Sequence, residues 1–170
     1  LARPDTAPGG LHPTDDVEPT ARKVRSLFLS DIHLGSRACH AEQLLTFLRE
    51  YDPEYIFLIG DIVDFWKVRR GPHWPQAHND VLQKLMRRVR KGTRIIFIPG
   101  NHDEFLRDYY GTHFGGIDVL EDAIHVDRDG KRLYTAHGPS NDGSVVDVAT
   151  HEVTAKIPAG DRPSGGAIVA

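Results

Sequence analysis

Residues 24–33 read Val-Arg-Ser-Leu-Phe-Leu-Ser-Asp-Ile-His, an apolar run that stops abruptly on an acid and an imidazole. The same form recurs at 55–64, YIFLIGDIVD, and at 94–103, RIIFIPGNHD, and a shorter version closes at 133–138, LYTAHG. Nearly continuous apolar runs of this length are the habit of strands buried on both faces of a largely parallel sheet. Between them lie two helical stretches, as parallel crossovers require. In 41–50 the residues Leu44, Leu45 and Leu48 share one face, and in 76–91 the stripe is Val81, Leu82, Leu85, Met86 and Val89, ended by Gly92. Lys84, Arg87, Arg88, Arg90 and Lys91 fill much of the rest of the second helix and read as a solvated face. Short strands are expected at 117–120, 124–127 and 132–136, with an Asp129-Gly130 hairpin turn before the last. The expectation is an α/β chain: a β-α-β-α-β core followed by a β-rich half.

The strand ends carry the chemistry. Ser30-Asp31-Ile32-His33, Gly60-Asp61-Ile62-Val63-Asp64, Gly100-Asn101-His102-Asp103 and His137-Gly138 each follow an apolar strand. In open α/β sheets ligands bind outside the carboxyl ends of the strands, so these four segments should converge. Two residues apart on an extended chain, Asp31 and His33 would point the same way and grip one ion. Gly60 and Gly100 remove side-chain bulk where backbone approaches the centre. Each polar residue alone has a structural reading: Asp31 as a helix cap, Asp61 and Asp64 as turn residues, Asn101 as a left-handed turn residue. Taken together and in order, they point to a metal site of oxygen and imidazole ligands, suited to Mn, Fe or Zn.

Composition bounds the alternatives. With 170 residues and 39% hydrophobic content, one domain is expected. A formal net charge of -3 and a pI near 6.4 give no global basic field, which argues against a dedicated nucleic-acid binder. The single cysteine, Cys39, excludes an intramolecular disulfide and fits a reducing compartment. No apolar run approaches the roughly 18–20 residues that span a bilayer, so the chain reads as cytoplasmic, with peripheral contact at the inner membrane left open. Residues 1–23, with Pro4, Pro8, Pro13 and Pro19, read as a flexible leader.

The order D-x-H, G-D-x-x-D, G-N-H-D and H-G resembles the calcineurin-like metallophosphoesterase superfamily over residues 24–138. That resemblance implies an α/β/β/α four-layer sandwich with two divalent metals, Mn first among the choices and Fe or Zn as alternatives. Position by position, it implies that Asp31 and His33 hold the first metal, Asp61 bridges, and Asn101 and His137 hold the second. It places His102, oriented by Asp103, beside the leaving group as the catalytic pair. DIVDFW at 61–66 and PGNHDEFL at 99–106 are similar to the branch containing the UDP-2,3-diacylglucosamine pyrophosphatases. The implied reaction is hydrolysis of a phosphate ester or anhydride, giving a lipid monophosphate and UMP in that branch. A phosphorylated small molecule or lipid-linked nucleotide is then the expected partner. The repair-nuclease branch also fits the D-x-H-L-G text of the first motif.

Around these motifs the reading stays open. Phe65 and Trp66 suit either packing of the following loop or contact with acyl chains. Arg69 and Arg70, in a loop at 67–72, suit a diphosphate, anionic lipid heads or plain solvent. Cys39 and the histidines at 12, 40, 73, 78, 113 and 125 receive no role. The superfamily's closing G-H-x-H motif is absent, and His151 is the only histidine after His137. From 138 to 170 there is no Leu, Phe, Tyr, Trp or Met. Residues 139–170 are therefore expected to form a poorly packed or non-native tail, on a domain incomplete at its C-terminus and impaired in turnover.

Overall fold

The computed structural model describes residues 21–71, 73–137, 142–158 and 166–169; the side chains at 137, 142, 157, 158 and 166–168 are outside that description. The leader expected at 1–23 therefore lies mostly outside the described residues, though Arg22 and Lys23 already belong to the first strand.

Strands β1 (Arg22–Ser30), β2 (Tyr51–Ile59) and β3 (Arg94–Ile98) lie side by side and parallel, joined through helices α1 (Ala41–Glu50) and α3 (Gln76–Arg90). A short β5 (Ile117–Val119) extends the parallel set, and β4 (His113–Phe114) and β10 (Gly166–Val169) close its two edges antiparallel. The order of this sheet is β10-β1-β2-β3-β5-β4. A second, antiparallel sheet runs β6-β7-β8-β9, from Asp122–Val126, Arg132–His137, Asp142–Asp147 and Val153–Pro158.

Period-2 alternation sorts the first sheet's side chains onto two faces. Leu27, Leu29, Ile56, Leu58 and Ile95 pack with Leu45 and Leu48 of α1 and Val81 and Leu85 of α3. Phe28, Phe57, Ile59, Ile96 and Ile98 face the opposite way, onto Tyr134, Ala136 and Val145 of the second sheet. Phe28 sits at the centre of that interface, stacked on Phe57 at 4.8 Å and on Tyr134 at 4.7 Å between ring centroids. Each such fully buried side chain contributes about 1.5–3 kcal/mol relative to exposure. The result is helices, sheet, sheet. Ile124, Val126 and Val153 are exposed on the second sheet's other face, and no helix among the described residues covers them.

Two expectations change. The basic face of α3 is not wholly solvated: Lys84 and Arg88 are buried. Arg88 reaches back to the start of β2, donating to the Asp52 carboxylate and to the carbonyls of Leu48 and Tyr51, so its charge closes the α1–β2 corner. The stretch at 67–72 is not simply a loop, because Phe65–Arg70 forms a short helix α2 whose first turn is capped by Asp64, accepting from the Lys67 N–H at 2.9 Å. Strands also form beyond residue 138, in a stretch whose composition suggested poor packing. Val145 of β8 is buried, and β10 pairs residue for residue with Leu27–Ser30 of β1. Val148, Val153 and Val169 are exposed.

Candidate metal centre

The carboxyl ends of β1, β2 and β3 continue past the strands as hydrogen-bonded loops. The N–H of Asp31 donates to Gly60 O, that of His33 to Asp61 O at 2.8 Å, that of Leu34 to Ile62 O, and that of Gly60 to Ile98 O. These bonds carry the sheet's register into the polar residues, and Asp31, His33, Asp61 and Asp64 are all buried. Asp31, His33 and Asp61 form one group whose ligand atoms lie within 4.8 Å of each other, and His33, Asp64 and His102 form a second sharing the same histidine.

The backbone that achieves this is not the extended chain the D-x-H spacing suggested. Asp31, His33 and Asp61 have φ of 53°, 52° and 54°, in the left-handed region. The convergence of Asp31 and His33 is therefore made by turning the backbone, at a cost on the order of 1 kcal/mol or more per residue. Among the described non-glycine residues only His151 shares that conformation. Such strain persists where surrounding structure fixes it, and here the loop-to-loop hydrogen bonds do so.

His33 is the centre of the arrangement. Its Nε2 stands 3.9 Å from Asp31 Oδ1 and 3.9 Å from Asp61 Oδ2, and its Nδ1 stands 3.6 Å from Asp64 Oδ2. Those separations are too long for hydrogen bonds, and neither buried ring nitrogen makes one. They do suit two donor atoms on either side of an ion bound at about 2.0–2.2 Å from each. Burial lowers the His33 imidazole, but Asp31, Asp61 and Asp64 together outweigh it and hold it above its ordinary value. An unsatisfied imidazole among carboxylates fits a divalent cation, whose charge would replace the proton.

His102, half-buried, places Nδ1 3.1 Å from Asp64 Oδ1, and its ring meets His33 edge-on at 4.6 Å. Burial would raise the Asp64 carboxyl, but the Lys67 N–H and the two histidines overcome it and hold the group below its ordinary value. The expected orienting residue, Asp103, does something else. Fully buried, it accepts from the N–H groups of Gly100 at 2.6 Å, Ile62 at 2.8 Å and Val63 at 3.3 Å. It thus ties the third strand-end loop to the second, while Asp64 faces His102. Burial pushes the Asp103 carboxyl up to about 6, against those three donors. The N–H of His102 donates to Asp61 Oδ1 at 2.9 Å, locking the same two loops from the other side.

Asn101 lies half-buried in the turn between Gly100 and His102. His137 ends β7, its backbone paired with Asp122 and Asp142, and its side chain lies outside the described residues. Two supporting residues were not selected from the sequence. Asp64 was legible as the second acid of G-D-x-x-D. His78 was not: buried on α3, it accepts the Gly35 N–H at Nδ1 over 3.1 Å, and nothing in the 43-residue separation marks the pairing. Gly35 itself has φ of 101°, and a Cβ there would fall 2.5 Å from Val68 Cγ2, so only glycine lets α2 seat against the first loop.

Parallel strands whose carboxyl ends gather buried Asp and His around a shared imidazole form a site with the donor set to hold a divalent cation. A family model described as calcineurin-like phosphoesterase matches residues 24–162, and the chain belongs to that family. The match continues past residue 138, where the motif text departs. Among curated proteins, a UDP-2,3-diacylglucosamine hydrolase of Porphyromonas gingivalis is 32% identical over 126 residues, covering 69% of this chain and 47% of that protein. One of the same name from Aliivibrio fischeri is 26% identical over 135 residues, covering 77% of this chain and 54% of that protein. A DNA polymerase II small subunit of Methanothermobacter thermautotrophicus is 25% identical over 154 residues, covering 71% of this chain and 32% of that protein. The chain spans about half the length of the two hydrolases.

Proposed function

We propose that this chain hydrolyses a phosphoanhydride of the UDP-2,3-diacylglucosamine kind with two divalent cations, Mn in first place, held at the strand ends. Asp31, His33 and Asp61 would hold one ion; Asp61, Asn101 and His137 would hold the other. The observation that carries this reading is His33, buried with neither ring nitrogen hydrogen-bonded, 3.9 Å from carboxylate oxygens of Asp31 and Asp61. Two such cations, when bound, lower the pKa of a shared water toward neutrality and neutralise charge on the phosphoryl oxygens.

The chain's own residues do the rest. Asp64 Oδ1 stands 3.1 Å from His102 Nδ1 and would orient the ring, leaving Nε2 to carry a proton toward the departing oxygen. Asp103 acts as a positioning residue, because its three backbone bonds set the spacing of the loops that carry Asp61 and His102. Among the described residues no helix is long and apolar enough to cross a membrane, so a lipid-linked substrate would be met at a surface. The names of the two hydrolase relatives support the lipid-linked nucleotide, while the D-x-H-L-G text at 31–35 supports a nuclease reading of the same centre. A substrate panel of UDP-2,3-diacylglucosamine, DNA ends and phosphopeptides with Mn²⁺ separates them. Mn²⁺ calorimetry should show binding that is lost in Asp61→Ala, and identical isotherms for the two proteins would remove the metal assignment.

A further inference from the structure

The metal centre has a neighbour that the reaction above does not use. Residues Trp66, Arg69 and Arg70 line a cavity of about 500 Å³ on the outer side of α2. Three and four residues apart, Trp66 reaches the same helix face as Arg69 and Arg70. The two guanidiniums are exposed, and among the described residues neither has a carboxylate or hydrogen-bond partner. Among the described residues, no acidic side chain lines the cavity. Yet this face is not remote from the chemistry. Trp66 packs on His102 with ring centroids 4.3 Å apart at 34°, and Asp64, which caps the helix, is the residue that faces both His33 and His102.

We infer that this cavity is a second subsite for the substrate, in which Arg69 and Arg70 take a further phosphoryl group adjoining the one attacked and Trp66 walls the passage between them. The inference rests on the proposed hydrolysis and names its substrate class: a phosphoanhydride, not a monoester or simple diester. The physical case is scale and charge. Helical rise puts Arg69 and Arg70 about 8–9 Å along the axis from Asp64, within a long side chain's reach of a group one phosphate beyond the cluster. A cavity of this size suits a small ligand, and paired guanidiniums bind phosphate oxygens through charge-assisted, bidentate bonds. The Trp66 face offers flat apolar surface to whatever the phosphate carries.

The test begins without metal, so that binding is read apart from turnover. In EDTA, calorimetric titration of the whole chain with inorganic pyrophosphate should give saturable binding that weakens about tenfold or more in Arg69→Ala/Arg70→Ala. Arg69→Lys/Arg70→Lys should recover part of the loss, with unchanged circular dichroism in both variants. No saturable binding to the parent chain, or equal affinity in parent and alanine variant, overturns the subsite. In Mn²⁺, the alanine pair should raise KM for a UDP-sugar at least tenfold more than for bis(p-nitrophenyl) phosphate; equal losses on both would mean a structural role and overturn it. Sedimentation with anionic phospholipid vesicles distinguishes a membrane headgroup as the source of the anion. Vesicle binding lost in the alanine pair while pyrophosphate affinity holds would also overturn the subsite. A chain that binds pyrophosphate through the arginines but turns over neither substrate would sink the hydrolase reading and leave the subsite standing.

Discussion

Two histidines in this molecule are buried to a similar degree and are held in opposite ways. His33, 1% exposed, has carboxylates around it and no hydrogen bond to either ring nitrogen. His125, 7% exposed, lies between the sheets with its Nε2 2.5 Å from Ser26 Oγ and the rings of Tyr55 and Phe57 about it at 4.9 and 5.1 Å. Charge separates them as well. Burial and the Arg25 guanidinium hold the His125 imidazole below its ordinary value despite Asp127 and Glu54, whereas at His33 the acids win. A buried polar group left without partners costs about 1–3 kcal/mol, so a fold tolerates one where something else completes it. Burial alone therefore does not mark a functional histidine; the partners left open do.

The sharpest way to break that contrast is to replace each in turn. His33→Gln should weaken Mn²⁺ binding by about 100-fold or more, since removing a ligand should exceed the 10–100-fold typical of losing a residue behind one. Calorimetry checks it, and an unchanged isotherm would make His33 another structural histidine. His125→Ala should leave that isotherm alone and cost about 2–4 kcal/mol in urea denaturation, from the cavity and the lost Ser26 bond. If His125→Ala instead abolished metal binding while keeping its unfolding midpoint, the two roles would be reversed.

Protonation offers a finer test of the intersheet histidine. Its folded-state pKa is lowered, so the unfolded chain takes up the proton first. The stability it contributes is full above about 6.5 and is lost as pH falls below that value through the folded pKa. Urea midpoints at pH 7.5 and 5.5 should fall further for the parent chain than for His125→Gln; parallel falls would show that other groups carry the acid sensitivity. Cys39 should give the smallest effect. Burial raises its thiol to about 11 although the Ala41 N–H works against it. Alkylation by iodoacetamide at pH 8 should be about 10–100-fold slower in the folded chain than in urea, with no effect on Mn²⁺ binding. Equal rates would show that the thiolate is not suppressed.

Much of the fold was legible because it is written locally. Helix α1 and strand β3 fall where the apolar spacing put them, and the Asp129-Gly130 turn joins β6 to β7, with Gly130 at φ of 74°. The α2 segment was not, because its helix depends on the Asp64 cap and on a seat provided by Gly35, each a matter of a neighbouring loop. The buried Arg88 was misread as surface for a related reason. Its partners are the Leu48 and Tyr51 carbonyls and Asp52 at an adjacent corner, which no pattern within α3 reveals.

By itself the sequence determined that Asp31, His33, Asp61, Asn101 and His102 stand at the ends of apolar strands, since strand period and parallel topology send successive carboxyl ends to one edge. Which acid serves which histidine was decided only in three dimensions. Asp103 follows His102 directly in the chain, yet its carboxylate turns inward to three backbone donors of buried loops that need an acceptor. Asp64, on another strand's loop, takes the place facing the ring. Left-handed turns at Asp31, His33 and Asp61 complete the arrangement, a conformation that Asp and His adopt more readily than most residues but that still costs energy. They are held by hydrogen bonds between loops that are distant in sequence, so only the assembled sheet can hold them in place.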